Sequence, residues 1–187
     1  MKRTIGVAVA VALSMGMMTS ASAFTPKLSS ELLSIGQMPT GWSIYHQAPG
    51  GGTGCLANVL EPKGIKPTSY AKVAFEDNGN TPLLEEAVAT YSNATTAYKK
   101  IAATLTNCKS VRGNGATGTV GQMSFPHYGT TSVAFSVSLV AQGTTIGEEF
   151  LIVRKGNVVM GMAEADFPPV DVSQFQGFVV EALAKVK

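Results

Sequence analysis

The chain has 187 residues, 45% apolar and 14% charged, which suits one globular domain and excludes a disordered chain. The net charge of +2 includes Lys2 and Arg3, and in the chain after Ala23 twelve basic side chains balance twelve acidic ones. This neutrality argues against a general electrostatic interaction with nucleic acid or anionic membrane. Two cysteines and two histidines are too few for an ordinary zinc or iron–sulfur site, so we expect no metal and no cofactor.

Residues 1–23 have the features of a cleavable export signal. Lys2 and Arg3 precede an apolar run, and Ala21-Ser22-Ala23 has the small-x-small pattern of a cleavage site. The run is about 14 residues long, shorter than the roughly 20 that span a bilayer, although an uncleaved anchor is an alternative. We therefore predict cleavage between Ala23 and Phe24, a mature domain over 24–187, and no lipid anchor, because no cysteine lies near this point.

Cys55 and Cys108 are the two cysteines of the chain. An exported protein reaches an oxidising compartment, which favours a disulfide between them, with two free thiols as the alternative.

The first third of the chain predicts short elements. Leu28, Leu32 and Ile35 have helical spacing, and Gly36 is the expected stop. Residues 42–45, which begin with Trp42, alternate as in a strand, residues 49–54 have the composition of a loop, and residues 70–75 predict a second strand.

The strongest helical pattern runs from Pro82 to Cys108. Apolar residues recur there at steps of three and four, namely Leu84, Ala87, Val88, Tyr91, Ala94, Tyr98, Ile101, Ala102, Leu105 and Cys108. Thr81 is the predicted N-cap, and Glu85 and Glu86 fall in the first turn, where the helix dipole favours acidic side chains. This segment is predicted to be one long helix that ends at Cys108.

After this helix the apolar period changes from 3.6 to 2. Segments 117–125, 133–139, 145–153 and 158–165 predict four consecutive antiparallel strands. Asp171 or Ser173 is expected to cap a final helix that carries Phe175 and Phe178. The predicted fold class is α+β: a single domain with a mainly antiparallel β-sheet, and with the long helix and the C-terminal helix packed on one face.

The sequence contains no catalytic motif. G-x-S-x-G and H-E-x-x-H are absent, and His46 and His127 both fall at predicted loops or strand ends. Glu148 and Glu149 are adjacent on a predicted strand and point to opposite faces. Glu164 and Asp166 share a strand face, for which solvated surface is the favoured interpretation and the edge of a groove is the alternative.

Three segments resemble a known family. They are C-L-A-N-V-L-E-P from Cys55, A-Y-K-K-I-A-A-T-L-T-N-C up to Cys108, and V-R-K-G-N-V-V in the predicted meander. Together they are similar to the extracellular sensor domain of the mycobacterial serine/threonine kinase PknH and its stand-alone exported relatives, over residues 28–187. The resemblance implies an α+β domain with a central antiparallel sheet and a cleft for an unidentified ligand, and it supports the pairing of Cys55 with Cys108.

The chain also departs from this family. Members often carry a tryptophan where this chain has Leu105, and they commonly have a second disulfide that two cysteines do not allow. No kinase domain is present, and the family provides no catalytic residue to transfer.

These features predict an exported, non-enzymatic ligand-binding or sensor-type domain that is secreted or associated with the cell envelope. Its ligand is expected to be a small molecule, lipid or glycan of the envelope, in a groove between the sheet and the loop after Trp42. Met160 and Met162 are candidate lining residues of this groove, although a place in the core is the favoured interpretation of both. One alternative is a protein–protein interaction module that partners an envelope kinase or transporter. A less favoured one is an envelope hydrolase with a scattered triad around His127.

Intact-mass spectrometry of the protein from its own host tests the processing predictions. We expect the mass of the chain from Phe24 to Lys187 less two hydrogens, because the signal is removed and the thiols are oxidised. A mass that includes residues 1–23 would contradict cleavage, and the full thiol mass would contradict the disulfide.

Overall fold

The structure, a computed structural model, describes residues 26–46, 54–57, 59–60, 64–79, 81–113, 115–141, 143–167 and 170–187. Three α-helices and eight β-strands occur in this part of the chain. The helices are α1 (Pro26–Ser29), α2 (Ala94–Asn107) and α3 (Val172–Lys185). The strands are β1 (Trp42–Ile44), β2 (Ser69–Asp77), β3 (Leu83–Thr90), β4 (Ser110–Gly113), β5 (Ala116–Met123), β6 (Thr131–Ala141), β7 (Thr144–Lys155) and β8 (Val158–Asp166).

All eight strands form one open antiparallel sheet in the order β1-β2-β3-β8-β7-β6-β5-β4. The predicted α+β class with an antiparallel sheet is confirmed. The predicted meander is also confirmed, since β5 to β8 follow one another in both sequence and space. Gly143 and Gly156 adopt φ values of +80° and +61° in the two hairpin turns on either side of β7, a region that favours glycine.

The long helix and the C-terminal helix lie on opposite faces of the sheet, which corrects the prediction that they share one face. Side chains of a strand alternate between the faces, so Ala87 and Ala89 of β3 pack in the core under α2. Leu84 and Val88 of the same strand pack in the core under α3. Because the central strands are apolar on both sides, each face needs a helix of its own.

The helix predicted from Pro82 to Cys108 is wrong in its first half. Residues Leu83–Thr90 form β3 between β2 and β8, and α2 begins at Ala94 with Asn93 as its N-cap. The Asn93 side chain accepts a hydrogen bond from the Thr96 backbone N–H at 2.9 Å. A continuous apolar run suits a strand buried on both faces as well as a helix, and neighbouring strands decide between them.

The core on the α2 side includes the region around the disulfide. Ile101 and Leu105 of α2 are buried against the sheet, and the structure joins Cys55 to Cys108 with their Cα atoms 5.7 Å apart. The Tyr91 hydroxyl donates a hydrogen bond to the carbonyl of Leu60. The connection between β1 and β2 is thereby fastened at both ends of α2, to Tyr91 before its first residue and to Cys108 after its last.

The core on the α3 side is closed by aromatic packing and by a cap at each end of the helix. Trp42 and Phe178 meet edge to face with ring centroids 5.2 Å apart. Asp171 accepts hydrogen bonds from two backbone N–H groups of the first turn, which confirms it as the N-cap. The Lys155 ammonium donates to the carbonyls of Leu183 and Val186 at the other end.

The N-terminal helix is shorter than its pattern suggests. α1 ends at Ser29, and Ile35 and Gly36 belong to a separate 3-10 turn, so Gly36 lies inside the turn and does not stop a continuous helix. Leu28 and Leu32 still pack on the sheet beside α3, as their spacing requires. The export signal and residues 49–53 of the predicted loop lie outside the described residues. Among the described residues, no helix combines the length and apolarity needed to cross a membrane.

Replacing both cysteines with serine tests how much the disulfide contributes. The bond closes a loop over a separation of 53 residues, for which chain entropy gives about 4 kcal/mol. We expect C55S/C108S to lower the free energy of unfolding in urea by about this amount. A change below about 1 kcal/mol would show that the unfolded chain gains little freedom when the bond is lost.

Candidate ligand-binding face

Helix α3 packs against one face of the sheet, and residues of β5, β6 and β7 on the same side lie outside its core and are partly or fully exposed. Under the helix, Leu151 of β7 and Met162 of β8 are fully buried. Further along the same strands, and on the neighbouring ones, most residues on this side are small or polar, with exposed Val140 as an exception. We call this set the open face: Thr119 and Gly121 of β5, Ser136 and Ser138 of β6, Gly147 and Glu149 of β7, and Glu164 and Asp166 of β8.

The floor of the open face has room for a bound molecule. A Cβ atom built on Gly121 meets no heavy atom closer than the Ser136 hydroxyl at 3.9 Å. Thr119 and Ser138 are exposed, and Ser136 and Gly121 are half-buried. The open face therefore presents hydroxyl groups and backbone on a solvent-accessible sheet surface.

One end of the open face is strongly acidic. Glu149 and Glu164 are directly opposite each other on β7 and β8, and Asp166 follows on the same face of β8. Burial raises the pKa of Glu164 to about 8, and Asp166, Asp171 and Glu149 raise it as well. Burial alone raises the pKa of Glu149 to about 7. Two facing carboxyl groups with raised pKa values are typical of functional sites.

A second pair of carboxyl groups lies on the opposite face, under α2. Glu85 and Glu148 are fully buried one row apart, with Ala163 and Ala165 of β8 between them. Burial raises the pKa of each to about 8; Lys72 opposes the shift at Glu85, and Glu85 adds to it at Glu148. Among the described residues, neither carboxyl group has a hydrogen-bond donor. This pair is closed off by the core, so we treat it as a stability feature and not as a binding site.

Glu86 has a structural partner. One of its carboxylate oxygens accepts a hydrogen bond from the Leu33 backbone N–H at 2.7 Å. Burial raises its pKa to about 7, while the Leu33 N–H and the charge of Lys185 lower it. Glu86 thus holds the segment after α1 on the sheet. The prediction that Glu85 and Glu86 serve a helix N-terminus is wrong, because both belong to β3.

A small polar cleft of about 270 Å³ lies at the other end of the α3-side face, near Glu31 and Thr90. Three hydroxyl groups line it and form hydrogen bonds with one another. The hydroxyl oxygen of Thr90 lies 2.8 Å from that of Thr68 and 2.5 Å from that of Ser69. This volume is small for a ligand pocket.

The predicted binding residues lie in the core. Trp42, Met160 and Met162 are 9%, 1% and 0% exposed and pack beneath or beside α3. Met162 borders the open face, because it lies two positions before Glu164 and on the same side of β8. The contact of these three residues with a ligand stays a prediction. His46 and His127 are both exposed in loops.

The sequence suggested part of the acidic end of the open face. Glu164 and Asp166 were placed on one strand face by alternation, and the structure keeps them there. The sequence does not predict that Glu149 faces Glu164, because this pairing depends on the register of β7 against β8. Among the described residues, no three side chains of the histidine, cysteine or acidic types are arranged to hold a metal ion.

The open face and the two-sided covering of the sheet define an α+β domain with an exposed polar sheet surface. The extracellular domain of PknH from Mycobacterium tuberculosis has a similar fold, with a TM-score of 0.60 and 12% sequence identity, over 84% of this chain and 93% of that one. The fold implied by the sequence resemblance is thus supported by a solved structure. LpqN, involved in cell envelope biogenesis of Mycobacterium tuberculosis, aligns over 78% of this chain and 75% of its own, with 10% identity and a TM-score of 0.32. No family model and no curated protein matches the sequence.

The buried pair under α2 predicts that stability falls as pH rises. An unfolded carboxyl group loses its proton near pH 4.5, whereas folded Glu85 and Glu148 keep theirs to about pH 8. The contribution of each group to the free energy of unfolding is therefore largest below about pH 4.5. It is lost as the pH rises from about 4.5 to 8, at about 1.4 kcal/mol for each proton and each pH unit. Urea unfolding at about pH 5 and about pH 8 should show the higher stability at pH 5.

The variant E85Q/E148Q provides the control for this slope. Glutamine keeps the shape and does not titrate, so the difference between the two pH values should shrink by several kcal/mol. E181Q changes an exposed glutamate of α3 and should leave the slope as it is. An unchanged slope in E85Q/E148Q would show that these two groups are already ionised in the folded protein.

Proposed function

We propose that this protein is an exported, non-enzymatic domain of the bacterial cell envelope that binds a ligand on the open face. The observation that carries the proposal is the exposed part of the sheet beside α3, where hydroxyl groups and Glu149 reach the surface and Glu149 faces the buried carboxyl group of Glu164. Because an antiparallel sheet can face water on one side, the exposed hydroxyl groups of the open face are accessible to a ligand.

Three further observations support this proposal. Residues 1–23 have the pattern of an export signal, which would deliver the domain to the envelope or beyond it. The fold is similar to that of a domain which is extracellular in PknH. The sequence also lacks the nucleophile elbow and the zinc-protease helix motif, which favours binding over hydrolysis.

The ligand that fits this setting is a small molecule, lipid or glycan of the envelope. A protein partner is the second candidate, and exposed apolar side chains favour it. Val140, on the same side of β6 as the open face, is 46% exposed, and Phe167, just after β8, is 60% exposed. Apolar residues at the border of a polar surface are common in protein interfaces.

Native mass spectrometry of protein purified from its own host tests the proposal. We expect the folded protein to carry an extra mass that is lost on denaturation. S138W, which places a large ring on the open face, should abolish the extra mass. The control T106W changes an exposed threonine of α2 on the other side of the sheet and should retain it.

The two other results have definite meanings. An extra mass that persists in S138W would place the ligand elsewhere and overturn the open face as its site. Bare masses in all three proteins, together with a cross-linked partner that S138W loses, would replace the small ligand with a protein.

A further inference from the structure

Glu149 and Glu164 form an arrangement that costs the fold free energy. When both carboxyl groups are ionised, their like charges lie directly opposite each other on neighbouring antiparallel strands and destabilise the pair. Asp166 lies on the same face of β8, and Asp171 caps α3 nearby, so the three charged groups that act on Glu164 are all acidic. A bound cation would offset this repulsion.

Glu164 is also buried without a hydrogen-bond donor. Its side chain is 1% exposed, and both carboxyl oxygens lack a donor among the described residues. A buried polar group with no partner costs about 1–3 kcal/mol. Glu149, its neighbour across the strands, is half-buried and reaches solvent, so the pair joins a buried acceptor to an accessible one.

We propose that Glu149 and Glu164, with Asp166 beside them, bind an organic ammonium group of the ligand. The inference rests on the proposed function, since it assigns the ligand chemistry of the open face. An ammonium group brings three N–H donors and a positive charge to a site that offers acceptors and negative charge. Ser136, next to Glu149 on β6, adds a hydroxyl acceptor to the same row.

An ammonium group suits this site better than a metal ion. Calcium and magnesium ions take six or more oxygen ligands and zinc takes four, and no group of three potential ligands is arranged for a metal ion in the described part of the chain. Ammonium accepts looser geometry, because its donors rotate on a flexible stem. The source of the group is either a free amine or a lysine side chain of a partner protein.

Isothermal titration calorimetry with 1,5-diaminopentane tests the ammonium site. The neutral probe 1,5-pentanediol matches its length and polarity without the charge, and hexalysine represents a polypeptide source. We expect the diamine to bind at least tenfold more tightly than the diol. Binding should release protons, because the cation favours the ionised form of both carboxyl groups, and two buffers of different ionisation enthalpy measure this release.

The variant E149Q/E164Q should bind the diamine at least tenfold more weakly, with its proton release lost. It should also fold, because glutamine keeps the shape and removes the repulsion, and circular dichroism checks this. E181Q, on the exposed side of α3, is the matched control and should bind as the unmodified protein does.

Each remaining result decides the question. Equal binding of diamine and diol, or unchanged binding by E149Q/E164Q, would overturn the inference. Binding of calcium chloride with no binding of either amine would replace ammonium with a metal. Binding of hexalysine alone would keep the chemistry and identify a protein source. A neutral ligand recovered by native mass spectrometry and lost in S138W would retain the proposed function and reject the ammonium site.

Discussion

The alternation of side chains along the central strands is the constraint on which the rest of this structure depends. β3, β8 and β7 lie in the middle of an eight-stranded sheet, and their apolar residues point to both sides. Two helices are therefore required, one for each face. The same alternation sends Glu85 and Glu148 under α2, and Glu149 and Glu164 to the α3 side. The two pairs of carboxyl groups therefore have different surroundings: Glu85 and Glu148 are enclosed in the core, and Glu149 and Glu164 border the open face.

Sequence patterns predicted the strands that alternate and failed where alternation is hidden. The meander from β5 to β8 has one polar and one apolar side along much of its length, so a period of two is visible. β3 is apolar on both sides, and its period cannot be separated from that of the helix that follows. Glu85 and Glu86 reinforced the error, because acidic residues after a proline also mark a helix start. Neighbouring strands, which the sequence does not display, decide this segment.

The candidate site shows the same division. Glu164 and Asp166 lie two positions apart, so local geometry sufficed to put them on one face. Their partner Glu149 is contributed by another strand, and its position depends on a hairpin register that a shift of one residue would invert. For Trp42, Met160 and Met162, the residue type does not distinguish a binding site from the core. Their chemistry suits an adaptable apolar lining, yet the same chemistry suits a core, and the position of α3 places them there.

The disulfide and the open face lie on different sides of the sheet. Cys108 precedes β4, at one edge, and Cys55 belongs to the connection between β1 and β2, which form the other edge. Cys55 itself lies beside β4, so the bond fastens the connection between β1 and β2 to the residue that precedes β4, on the α2 side of the sheet. The open face is flanked by α3, which carries no cysteine and is fastened by its own caps and by Lys155. Reduction or oxidation of the disulfide thus acts on the side of the sheet opposite the open face.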